Sequence, residues 1–136
     1  MSGLFSPSVR LQVAERASYR CEYCLIKEED SFLPFHVDHV IARKHGGPDS
    51  LDNLAYACPH CNQHKGTDLT TYLHDVGEIV PIYHPRRDEW KEHFSIELGS
   101  IVGLTRKGRA TVQLLNINQP ERLLIRQVLM EAGLYP

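Results

Sequence analysis

The chain has 136 residues, a formal net charge of −2, 42% hydrophobic residues and 24% charged residues. These values are ordinary for globular proteins and argue against collagen-like, disordered and coiled-coil chains. No apolar run approaches the ~20 residues that a membrane helix needs. The segment from Met1 to Arg10 also lacks the pattern of a secretory signal. We therefore expect a cytoplasmic protein without a membrane partner, folded as a single domain over residues 1–136.

The first half of the chain predicts a short helix, two short strands and a second short helix. The first helix is expected over residues 7–19, with Ser6 as its cap and Pro7 at its first position. The alternation of apolar and polar residues predicts strands, and proline and glycine mark where the remaining elements begin and end. These are a strand over 35–41, a loop over 43–53, a strand over 54–57 and a helix from Pro59 to Gly66.

The second half of the chain predicts mainly helices. One edge strand is expected over 78–83, interrupted by Pro81, and helices are expected over 86–93, 105–115 and 120–132. No flexible linker precedes these elements, so we expect them to pack as one body with the rest. The apolar stripe of the last helix is predicted to face the core. That stripe consists of Leu124, Val128, Leu129 and Ala132.

All four cysteines fall in two Cys-x2-Cys pairs, Cys21 with Cys24 and Cys58 with Cys61, separated by 33 residues. Such paired knuckles are typical of a tetrahedral zinc site, in which each tight turn supplies two thiolates. The sequence leaves two alternatives open. A single Cys-x2-Cys can act as a redox dithiol, and His60 with His64 could replace the second cysteine pair. We predict a closed structural zinc site made of the four cysteines. Because such a site has no open position for a substrate, we expect the catalytic residues in the segment between the two cysteine pairs or just after it.

That segment contains a carboxylate beside a histidine, Asp38 and His39, at the end of the predicted strand. The pair offers a ligand for a hard cation next to a proton acceptor. Asn62 and Lys65 are three residues apart on the following helix and share a face. On a regular strand Asp38 and His39 would point to opposite faces, so the strand must end or bulge there for both to serve one site.

The order of these motifs resembles the HNH endonuclease family between Cys21 and Gly66. The resemblance implies an α+β fold with a small ββα-metal core held by the zinc site and followed by a helical C-terminal extension over about 70–136. It also implies one role for each matched residue. His39 is expected as general base, Asp38 and Asn62 as ligands of the catalytic metal, and Asn53 as a brace of the loop. Asn62 stands where many members of the family have histidine.

The expected activity is the hydrolysis of DNA phosphodiester bonds with one catalytic Mg²⁺ or Mn²⁺ ion per site. Arg43, Lys44 and Lys65 are candidate phosphate contacts, and His36 and His64 are possible auxiliary residues of the site. The oligomeric state, monomer or dimer, stays open. The alternative is a non-catalytic zinc-ribbon module that binds nucleic acid, although such a module has no need for Asp38, His39 and Asn62 together.

Overall fold

The computed structural model describes residues 5–136, and the first four residues lie outside it. The chain divides into two compact units, one that ends at Thr67 and one that spans Asp68–Pro136. This boundary lies between the predicted motif core and the predicted extension, while the assignment of the whole chain to one domain stays a prediction. None of the described helices is long and apolar enough to cross a membrane.

The described part of the first unit, residues 5–67, contains two α-helices and one two-stranded sheet, which we label α1, β1, β2 and α2 in chain order. Ser6 caps α1 by accepting a hydrogen bond from the Val9 N–H at 3.2 Å, and proline begins both helices. These are the starts that the sequence predicted. The bounds are α1 Pro7–Arg16, β1 His36–His39, β2 Leu54–Ala57 and α2 Pro59–Lys65. Single turns of 3-10 helix add Glu28–Asp30, Arg43–His45 and Leu51–Asn53.

Strands β1 and β2 pair antiparallel, with His36 opposite Ala57 and His39 opposite Leu54. All four residues of β2 are buried, and so are the last three of β1. Helix α2 follows β2 after one residue, Cys58, and contacts β1. The result is a ββα unit in which the C-terminal end of β1 lies beside α2, and this end carries Asp38 and His39.

Two glycines shape the loop that joins the strands. Gly46 has φ +86°, a left-handed conformation that side chains other than glycine adopt at a cost. At Gly47 a Cβ atom would lie 1.7 Å from the carbonyl oxygen of Ile41, so no side chain fits there. The loop can therefore fold back closely on the end of β1.

The second unit contains two β-hairpins and three helices. It is less helical than the sequence predicted, because three of its four strands were not foreseen. The α+β class of the chain is confirmed. The bounds are β3 Thr70–Leu73, β4 Glu78–Pro81, α3 Trp90–His93, β5 Phe94–Glu97, β6 Ser100–Gly103, α4 Arg106–Leu114 and α5 Pro120–Glu131. Each hairpin is antiparallel, and α4 packs against β3, β4 and β6.

Helix α5 buries the face opposite to the one predicted. Leu124 and Val128 are 59% and 58% exposed, whereas Arg126 is 2% exposed and Arg122 is buried as well. The prediction that the apolar stripe faces the core is therefore wrong for Leu124, Val128 and Ala132, whereas Leu129 is half-buried. The guanidinium groups of both arginines donate to backbone carbonyls at the end of α4 and after it, at 2.7–3.1 Å. Carbonyls at a helix C-terminus need donors and favour positive charge, and these contacts outweigh the apolar pattern.

Candidate active site

The four cysteines converge on one point although 33 residues separate the two pairs. All are buried, and their sulfur atoms lie within 4.8 Å of one another. In each knuckle the N–H of the second cysteine donates to the sulfur of the first, at 3.5 Å from Cys24 to Cys21 and at 3.4 Å from Cys61 to Cys58. Burial raises the pKa of the Cys21 and Cys61 thiols well above the ordinary value. The arrangement is suited to a cation that stabilises thiolates.

The cysteine cluster joins the first knuckle to the sheet and to α2. The Glu22 N–H donates to the Tyr56 carbonyl at 2.9 Å, and the Tyr56 N–H donates to the Glu22 carboxylate at 2.8 Å. The second knuckle begins α2, with Cys58 as its cap. Among the described residues that could hold a metal ion, the group formed here contains the four cysteines and neither His60 nor His64.

Asp38 is a buried carboxylate with two donors of its own. The Tyr23 hydroxyl donates to Oδ2 at 3.3 Å, and the Lys65 ammonium lies 3.1 Å from Oδ2 and 3.4 Å from Oδ1. Burial raises the pKa of Asp38 above the ordinary value, although Lys65 opposes the rise. The carboxylate is thus held in one orientation beside the end of α2.

Lys65 does not lie where a phosphate contact was predicted. Its side chain is 1% exposed, and its ammonium group also donates to the His39 carbonyl at 2.9 Å. An ammonium group so enclosed by the protein cannot reach a phosphate on an external strand. The structure therefore corrects the expectation. Lys65 ties the last turn of α2 to the two residues that end β1.

His39 is 7% exposed and its imidazole contacts two side chains. Nε2 lies 2.7 Å from Oδ1 of Asp49, and the ring lies 5.2 Å from the Phe5 ring, measured between centroids. Arg43 donates to both carboxylate oxygens of Asp49, at 2.9 and 3.0 Å. Arg43, expected as a phosphate contact, thus has its guanidinium engaged within the loop.

Asp49 contacts the imidazole of His39, and the sequence did not indicate this residue. Its only local signal is a carboxylate in a glycine- and proline-rich loop, ten residues after His39. Such carboxylates are common in turns and say nothing about a distant imidazole. Arg43, and then His39, lower the pKa of Asp49 to about 2, so this carboxylate is ionised at neutral pH.

Asn53 braces the loop through its side-chain amide. Its Oδ1 accepts from the Ile41 N–H at 2.9 Å, and its Nδ2 donates to the carbonyls of Ile41 at 2.9 Å and Pro48 at 2.8 Å. The Asn53 carbonyl accepts from the Val40 N–H at 2.9 Å. The buried amide thus connects the residues after β1 with those before Asp49.

A cleft of about 570 Å³ lies over the end of β1 and the adjacent face of α2. Asp38 and His39 both line it, together with the other two residues of β1, His36 and Val37. Asn62 lines it from α2, whereas exposed His64, on the described part of the same helix, does not. The further polar residues that line the cleft are Arg43, Lys44 and Thr67.

Comparison with known proteins gives a family for this core. Residues 21–68 match the family model described as HNH endonuclease. These residues are an HNH domain. The chain is also 28% identical over 127 residues to the Septu protein PtuB of Bacillus thuringiensis. That alignment covers 91% of this chain and 46% of the relative, so the chain spans about half the length of that protein. No solved structure matches the chain.

The HNH domain includes both features built from the residues above, the four-cysteine cluster and the cleft at the end of β1. The family assignment supports a nuclease-type function and a nucleic acid as substrate. The second unit, which begins at Asp68, lies outside the matched domain except for that first residue.

Proposed function

We propose that this chain is a metal-dependent endonuclease that hydrolyses DNA phosphodiester bonds in the cleft of its HNH domain. One observation carries the proposal. Asp38, His39 and Asn62 come from two elements of the ββα unit and line the same cleft. A carboxylate, an imidazole and an amide in one cleft are the groups that metal-assisted phosphodiester hydrolysis needs.

The four-cysteine cluster is proposed to hold structural Zn²⁺. Four buried sulfur atoms within 4.8 Å of one another suit a cation that prefers thiolates in tetrahedral geometry. Such a site has no open position for a substrate. Its role would be to hold the first knuckle, β2 and the start of α2 in fixed relation, and so to place Asn62 opposite Asp38.

The cleft is proposed to take Mg²⁺ or Mn²⁺ on Asp38 and Asn62. A carboxylate and an amide oxygen are hard donors of the kind these cations prefer. The contacts of Asp38 with Tyr23 and Lys65 are 3.1–3.4 Å long, and a carboxylate has lone pairs enough for a further partner. A cation bound here would offset negative charge on the scissile phosphate and on the departing oxygen.

His39 is proposed as the general base. Its imidazole would accept a proton from a water molecule, whose oxygen attacks phosphorus while the bond to the 3′ oxygen breaks. The product strand would then carry a 5′ phosphate. Exposed Lys44, at the rim of the cleft, would attract the DNA backbone by its charge. One such site cuts one strand at a time, so nicked DNA is the expected first product.

The test is the cleavage of supercoiled plasmid by the full chain with Mg²⁺ or Mn²⁺ and, separately, with EDTA. Nicked circles should form with the cation and not with EDTA, and His39→Ala should lower the rate by roughly 10²–10⁴. A matched control is His74→Ala, which removes an exposed histidine of the second unit and should leave the rate unchanged. Cleavage that persists in EDTA, or that is equally fast with His39→Ala, would reject the proposal.

A further inference from the structure

The imidazole of His39 is held at Nε2 by Asp49, which lies ten residues further along the chain in the loop after β1. Nε2 of His39 and Oδ1 of Asp49 are 2.7 Å apart, a short distance for a hydrogen bond between nitrogen and oxygen. Phe5 lies against the ring, with 5.2 Å between the centroids. The ring is therefore fixed by a polar contact at its edge and by an aromatic neighbour.

The partner determines which nitrogen of the neutral ring carries the proton. Asp49 is ionised at neutral pH, and an ionised carboxylate can only accept hydrogen bonds. Nε2 must then be the donor. In a neutral imidazole the other nitrogen, Nδ1, has the free lone pair. Only that nitrogen can accept a proton from water.

Asp49 is itself held in place by its loop, although its side chain is 58% exposed. Arg43 binds both of its oxygens, at 2.9 and 3.0 Å. The preceding residue, Pro48, has its carbonyl bonded to the buried Asn53 amide at 2.8 Å. Since an exposed carboxylate alone would sample several rotamers, these two contacts are what make it a fixed acceptor for His39.

We propose that Asp49 is a positioning residue for His39, and that Arg43 serves the reaction by holding Asp49. Asp49 keeps Nε2 protonated and Nδ1 free, and it fixes the direction of the imidazole in the cleft. This inference rests on the proposed role of His39 as general base. It assigns functions to a residue that no sequence motif indicated and to an arginine that was expected to contact DNA.

The kinetic test compares the wild type with Asp49→Ala under single-turnover conditions, with the rate at saturating DNA and the Kd for DNA measured separately. Loss of an orienting partner should lower the rate by roughly 10- to 100-fold. The Kd should not rise, because Asp49 carries a negative charge and contributes no attraction to the phosphate backbone. Asp52→Ala is the matched control, since this carboxylate of the same loop bonds Ser50 and not His39. An unchanged or faster rate with Asp49→Ala would overturn the proposal, the faster rate because it would mean that Asp49 obstructs the base.

A spectroscopic test does not depend on cleavage. Long-range ¹H–¹⁵N NMR spectra distinguish imidazoles that are protonated at Nε2 from those protonated at Nδ1. His39 of the wild type should be protonated at Nε2 when neutral, and Asp49→Ala should give a mixture of the two forms. A wild type protonated at Nδ1, or a variant with the spectrum of the wild type, would overturn the proposal. A wild type that cuts no DNA would instead reject the proposed function, and the NMR comparison would still decide whether Asp49 fixes the imidazole.

Discussion

The ammonium group of Lys65 lies 3.1 Å from a carboxylate oxygen of Asp38, and the two side chains are 1% and 8% exposed. Water can compensate neither charge at such a place, so each depends on the other. The same ammonium donates to the His39 carbonyl at 2.9 Å. The last residue of α2 thus fixes both the side chain of Asp38 and the backbone of His39, which makes Lys65 part of the frame of the cleft.

Replacing Lys65 with methionine should therefore destabilise the domain strongly. The change leaves the Asp38 carboxylate buried without its cation, which typically costs about 3–5 kcal/mol. Urea unfolding of the zinc-loaded protein would measure the loss. Lys44→Met is the matched control, because Lys44 lines the same cleft but is exposed, and it should cost less than about 0.5 kcal/mol. Equal midpoints for the two variants would contradict the assigned role of Lys65.

The cysteine cluster gives a second prediction. Cys58→Ser should lower the zinc content and unfold the first unit, because a missing thiolate releases the start of α2 from the first knuckle. Metal analysis and the melting transition report the two effects. His64→Ala should keep full zinc, since the group of possible ligands contains the four cysteines and not this histidine. Zinc loss with His64→Ala and not with Cys58→Ser would show that histidine replaces cysteine in the site.

Arg43 and Lys44 are adjacent and both line the cleft, yet they should behave differently. Arg43 binds Asp49, so Arg43→Ala should lower the single-turnover rate more than it raises the Kd for DNA. Lys44→Ala should weaken binding to all DNA sequences alike. It should also make the plot of log K against log salt concentration less steep, by about one. Binding titrations at several salt concentrations, together with single-turnover rates, separate the two effects. If Arg43→Ala alone made this plot less steep, Arg43 and not Lys44 would be the phosphate contact.

The sequence predicted best the elements that local signals define. β2 and α2 lie at or within one residue of the predicted bounds, because proline, glycine and the cysteine spacing mark their ends. The hairpin of β5 and β6 was missed, since four-residue strands show little alternation. Asp49 could not be found either, because its contact with His39 depends on how the whole loop folds. Local signals indicate the residues that resemble the HNH motif, whereas tertiary contacts determine which other groups support them.

Helix α5 shows how such contacts override an amphipathic pattern, and it gives a further prediction. The guanidinium of Arg126 bonds the carbonyls of Gly99 and Ile117, at 2.7 and 2.9 Å. Arg126→Met leaves these acceptors without that donor and should cost at least about 1–3 kcal/mol. Val128→Ser, on the face predicted to be buried, should cost less than about 0.5 kcal/mol, because Val128 is 58% exposed. If chemical denaturation showed a larger loss of stability for Val128→Ser than for Arg126→Met, α5 would bury the face that the sequence predicted.

The orientation of α2 determines whether Asn62 or His64 can be the second ligand of the proposed catalytic cation. Residues two apart on a helix are separated by about 200°, so only one of them can face Asp38. The cleft is lined by Asn62, which is half-buried, whereas His64 is exposed. The amide oxygen is also the harder donor and suits Mg²⁺. Asn62→Ala should therefore raise the Mg²⁺ concentration needed for half-maximal cleavage, or abolish cleavage, while His64→Ala leaves that concentration unchanged. Calorimetric titration with Mn²⁺ measures the same preference without turnover, and weaker binding with His64→Ala alone would mean that α2 presents its opposite face to Asp38.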